Sequence, residues 1–103
     1  MSEKGVKMPQ KTVYKKAVGH FGIKHQLHKL AEECSELAVE AHHMAAGRGY
    51  ESCLAGEIAD VEILIDQMKA FYPKMVENVD AIKRRKVLKL ITRIEKEEND
   101  ERE

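Results

Sequence analysis

Apolar residues recur along most of this chain at alternating steps of three and four, the spacing that lines one face of an α-helix. The longest series is Ile23, Leu27, Leu30, Cys34, Leu37, Ala41 and Met44, with no proline or glycine between its ends. It stops at Gly47-Arg48-Gly49, a breaker cluster that predicts a tight connection. A second series, Cys53, Leu54, Ile58, Val61, Leu64, Ile65, Met68 and Phe71, predicts a helix from about Tyr50 to Tyr72, interrupted by Pro73. Two long helices joined by so short a loop must run antiparallel, so they form a hairpin.

Shorter patterns flank the hairpin. Val13, Ala17 and Phe21 predict a first helix over Thr12 to His20, stopped by Gly22, while the aperiodic residues 1–10 read as a loose arm. Beyond Pro73, the residues Val76, Val79, Ile82, Val87, Leu90, Ile91 and Ile94 predict a further helix from about Lys74. The acidic end, residues 99–103, is expected to fray as a tail. The fold class is therefore all-α: an antiparallel bundle of four to five helices over residues 11–98. A chain of 103 residues has room for one domain. Helices of this size bury little surface alone, so oligomerisation through the long helices is expected, as a homodimer or homotetramer.

Composition narrows the function classes. Lys plus Arg and Asp plus Glu both number 18, so no global field draws the chain to nucleic acid or to an anionic membrane. No stretch approaches the roughly 20 apolar residues of a membrane span, and the polar N-terminus lacks a signal core, which points to the cytoplasm. Cys34 and Cys53 fall in the apolar series, so both are expected to face the core as reduced thiols.

The acids carry the candidate chemistry. At 100° per residue, with Cys34 at zero, Glu33 lies near about −100°, Glu40 near −120° and Glu36 near −160°, a stripe beside the apolar arc, whereas Glu32 points outward. On the next helix Glu57 shares the angle of Cys53, Leu64 and Met68, inside the apolar arc, and Asp60 follows on the same face. Glu62 and Asp66 point the other way and read as surface charge. Burying an ionised carboxylate costs several kcal/mol (roughly) unless something compensates. Protonation, pairing with a basic side chain, and a shared divalent cation all compete as explanations, and four acids favour the last. Two E-x-x-E/D pairs supply oxygen ligands, which suit Mg²⁺ or Mn²⁺ rather than zinc. The bland alternative is a helix hairpin with one buried, salt-bridged acid, and spacing does not decide between them.

The run Glu32-Glu33-Cys34-Ser35-Glu36, followed after twenty residues by Glu57-Ile58-Ala59-Asp60, resembles the two-part signature of the MazG-like all-alpha nucleotide pyrophosphohydrolases. Phe21-Gly22-Ile23, Gln26-Leu27, Glu36-Leu37 and Asp60-Val61 extend the likeness over roughly Gly19 to Met68. The resemblance implies an enzyme that cleaves a nucleoside triphosphate between its α- and β-phosphates, with Mg²⁺ (or Mn²⁺) held by Glu33, Glu36, Glu57 and Asp60. It also implies that Glu32 orients or deprotonates the attacking water. Lys86, Lys89 and Arg93 resemble the basic C-terminal segment of short members; with Lys83 and Arg84 they are candidates to steady the departing pyrophosphate. By position, His20, Phe21, His25 and Gln26 are candidates to contact the base, although Phe21 also reads as a core anchor.

Other readings remain open. Glu40 and His43 make one E-x-x-H of a di-iron bundle, without a second copy. His25, His28 and Glu32 have a spacing that zinc accepts. A non-enzymatic helical dimerisation module would use the apolar stripes as its seam. A phosphoribosyl-ATP pyrophosphohydrolase-like activity shares the motif.

Overall fold

The computed structural model describes residues 9–102. Four α-helices follow one another among these residues, with no strand: α1 (Gln10–Phe21), α2 (Ile23–Ala45), α3 (Glu51–Phe71) and α4 (Pro73–Arg102). The expected all-α architecture is the one found. Gln10 opens α1 rather than closing an arm, and residues 1–8 of that expected arm lie outside the described residues.

The breaks fall where backbone chemistry requires them. Gly22 adopts φ 92°, a conformation that L side chains rarely take, and its N–H closes α1 on Val18 O at 2.8 Å. That single residue turns the chain directly into α2. The α2–α3 connection folds back on the end of α2, where Gly47 N–H reaches Met44 O and Arg48 N–H reaches His43 O. Gly49 passes so close that a Cβ there would lie 2.8 Å from Met44 N, so the tight connection depends on a residue without a side chain. Pro73 starts α4, where a missing N–H costs nothing because first-turn N–H groups have no helical partner.

The chain divides into two units, Met1–Phe71 and Tyr72–Glu103. In the first, α2 and α3 pack along each other, and α1 lies against α3 and more lightly against α2. The apolar core of the described residues is small: Val18 from α1 with Val61, Leu64 and Met68 from α3. In the second unit α4 buries none of its residues, and Val87, Leu88, Leu90, Ile91 and Ile94 are exposed. Most of the acidic end, to residue 102, is part of α4, and Glu103 lies outside the described residues. Within α4, Arg93 Nε donates to Glu97 Oε1 at 3.1 Å one turn on.

Helix α2 turns a different side to its neighbours than the apolar arc implies. Its buried residues are Gln26 and Glu33, while Leu27, Cys34 and Ala41 are exposed. Glu33 sits about 100° around the helix from Cys34, so the hairpin contact lies on the polar edge of the arc. Cys53 on α3 is exposed too. Both cysteines are free thiols, but neither faces the core of this chain. Phe21 is likewise 55% exposed and does not act as a core anchor.

Candidate metal centre

The polar contacts between α2 and α3 begin two helical turns from the acids. Gln26 Nε2 donates to Gln67 Oε1 at 2.7 Å, a buried bond between the two helices. The other end of the Gln26 amide accepts from His25 Nδ1 at 2.8 Å, which sets the amide orientation. Seven residues along α2 from Gln26 stands Glu33, and seven residues back along α3 from Gln67 stands Asp60. The antiparallel register that pairs the glutamines therefore also brings the acids of the two helices level.

Two sets of carboxylates converge in consequence. Oxygens of Glu32, Glu33 and Glu36 lie within 4.8 Å of one another, and so do oxygens of Glu33, Glu57 and Asp60. Glu33 belongs to both. All four expected metal ligands, and the expected base Glu32, are thus gathered around one buried side chain. Among the described residues no histidine or cysteine joins such a group, so His25, His28 and Glu32 are not assembled for zinc. Glu40 and His43 meet only as a pair, at 3.7 Å.

Burial makes this arrangement costly without a cation. Glu33 is 7% exposed and Glu57 is half-buried, and Oε2 of each is sealed from solvent with no hydrogen-bond partner. Glu33 Oε1 pairs with Lys29 Nζ at 3.4 Å, which meets part of the cost in the manner of a buried, salt-bridged acid. The same ammonium reaches Glu32 Oε1 at 3.3 Å, leaving the two sealed oxygens unanswered. Two orphaned carboxylate oxygens on facing helices, with further carboxylates in reach, are the donor set that a hard divalent cation takes. The residues present could hold a metal ion.

The crowding also appears in proton affinities. The Glu33 carboxyl, by sharing a hydrogen bond and then by its charge, pushes the Glu36 carboxyl above its ordinary value of 4.5, with lesser contributions from desolvation, Glu57 and Glu32. Glu32 first, and then Glu33, hold the Lys29 ammonium above its ordinary value of 10.5. Glu36 is raised because a carboxyl beside other negative charges gives up its proton less readily.

The remaining candidates are distributed differently. His20 ends α1 and meets the Phe21 ring edge-on at 4.7 Å, while Phe21 stacks on His25 at 5.7 Å. Gln26 is buried with its amide engaged by protein at both ends, so its visible role is to join helices. Lys83, Lys86, Lys89 and Arg93 all lie exposed on α4, in the second unit. Sequence reasoning missed Lys29 and Gln67. Lys29 was within reach of the i, i+4 rule, being four residues before Glu33. Gln67 carries no comparable signal, since its partner is 41 positions away. No family model, curated protein or solved structure matches the chain.

Proposed function

We propose that this chain is a Mg²⁺-dependent nucleoside triphosphate pyrophosphohydrolase, converting a (d)NTP and water to the (d)NMP and pyrophosphate. The observation that carries the proposal is the pair of sealed, unpartnered oxygens, Glu33 Oε2 and Glu57 Oε2, within the convergent carboxylates of α2 and α3. The likeness of Glu32 to Glu36 and Glu57 to Asp60 to the MazG-like signature supplies the reaction.

Glu33, Glu36, Glu57 and Asp60 would hold the cation, with Mn²⁺ as a substitute. A bound divalent cation supplies neutralisation of the triphosphate charge and a lowered pKa for water. Glu32 is one of the exposed members of the cluster, its side chain 58% accessible, and on the resemblance it would take the proton of an entering water. The water oxygen bonds to the α-phosphorus as the bond to the bridging oxygen breaks, and pyrophosphate leaves with that oxygen. Phe21 and His25, exposed and stacked, offer a flat surface to a base, with His20 beside them. Basic side chains of α4 are assigned to pyrophosphate on the resemblance alone.

Assembly belongs to the same proposal. A core of so few buried apolar residues, with Leu27, Ile58, Ile63 and Ile65 exposed, favours a homodimer or homotetramer. No helix of the described residues is long and apolar enough to cross a membrane, and a cytoplasmic location is part of the proposal. The exposed apolar face also favours a second reading, a helical dimerisation module without activity. Incubation with a panel of canonical and modified triphosphates plus Mg²⁺, followed by pyrophosphate detection, separates the two. Release that is lost in Glu57→Ala supports the enzyme; no release from any nucleotide, phosphoribosyl-ATP included, with the dimer intact, supports the module.

A further inference from the structure

Lys29 stands in an unusual place for a surface lysine. Its ammonium touches both Glu32 and Glu33, and Glu33 is the acid shared by the two carboxylate sets. Glu33 is nine-tenths buried, and one of its oxygens is held by Lys29 while the other is sealed and unpartnered. The Lys29 side chain itself is 42% accessible, on a flexible four-carbon stem that can swing into solvent without disturbing the helix. Glu33 thus has one oxygen against a resident monovalent cation and the other sealed and unpartnered, in a side chain that both carboxylate sets share.

We infer that Lys29 is an exchangeable internal counter-ion, which occupies the carboxylate cluster when no divalent cation is bound and sets how tightly a divalent cation is taken up. The inference rests on the metal-centre reading above and adds the residue that tunes it. Its physical basis is simple repulsion. A doubly charged ion drawn to Glu33 has to sit near a singly charged ammonium held by the same side chain, and like charges at such range oppose each other even in a watery medium. Without the ammonium, the cluster loses the cation that partly offsets mutual carboxylate repulsion. Lys29 therefore steadies the metal-free protein and weakens its metal affinity together.

The test compares wild type, Lys29→Gln and Lys29→Arg by calorimetric titration with Mn²⁺, and by thermal melting with and without Mn²⁺. Lys29→Gln is expected to bind Mn²⁺ roughly three- to tenfold more tightly, with the gain shrinking as salt rises. Its melting temperature should fall without metal and recover with it, whereas Lys29→Arg, which keeps the charge, should stay near wild type in both measurements. A lysine that only stabilised α2 would lower the melting temperature equally in both conditions and leave affinity unchanged. Mn²⁺ uptake by wild type with equal or weaker uptake by Lys29→Gln overturns the counter-ion inference alone. No uptake by any of the three proteins overturns the metal centre and the inference with it.

Discussion

Glu57 is poor for the fold, and under the proposed function it is a ligand that the site needs. One of its oxygens is sealed with no partner, an arrangement that costs about 1–3 kcal/mol when nothing compensates. Glu57→Leu is accordingly expected to keep its helical circular dichroism and to melt at or above the wild-type temperature without metal, while losing Mn²⁺ uptake and at least ~100-fold in pyrophosphate release. A variant that melts lower without metal and still binds Mn²⁺ would contradict this. Glu36 sets the pH dependence. Its carboxyl is raised above the ordinary 4.5 by Glu33, so the folded chain holds that proton more tightly than the unfolded one. The stability contributed by this group is present below the unfolded value and is lost as pH rises through the raised folded value. Metal-free protein should therefore lose some thermal stability as pH climbs from 4.5 through that raised value, and Mn²⁺ affinity should grow over the same interval as the proton leaves. Melting and Mn²⁺ titrations at stepped pH check both signs.

Among the elements, the α2–α3 hairpin aligns the acids, and the Gln26–Gln67 bond is the polar contact buried between them. Losing either glutamine leaves a buried amide without its partner. Gln26→Leu and Gln67→Leu are each expected to cost about 1–3 kcal/mol in chemical denaturation, with the double variant recovering part of the sum because both amides are then gone. Additive losses would show that the bond does not couple the helices. The connection that makes the hairpin tight was legible as Gly47-Arg48-Gly49, since breakers cluster where helices end. What spacing did not reveal is that Gly49 is needed for close approach to the backbone of α2, which depends on two segments meeting.

For the whole molecule, the balance of buried and exposed apolar groups decides the expected assembly. Val18, Val61, Leu64 and Met68 are buried, whereas Leu27, Val39, Ile58, Ile63 and Ile65 in the same unit are substantially exposed. A second copy is the simplest cover for such a surface. Light scattering coupled to size exclusion should give a mass of two or four chains of 11.8 kDa, and Ile58→Asp or Ile65→Asp should shift it toward one. A monomeric wild type at micromolar concentration would refute the proposed assembly.

The chain alone determined what depends on neighbours in sequence: an all-helical chain of four to five helices, of which four are found, their breaks at Gly22, Gly47 to Gly49 and Pro73, and acids spaced to share a helix face. Periodicity reports those features because helical geometry repeats every few residues. Only tertiary packing decided which side of each helix is covered. The apolar arc of α2 centres near Cys34, yet the hairpin buries Gln26 and Glu33 and leaves Cys34 and Leu27 outside. Helix rotation is set by the partner surface, here α3 with Gln67 and Glu57 on it, and a partner dozens of positions away leaves no mark on local spacing.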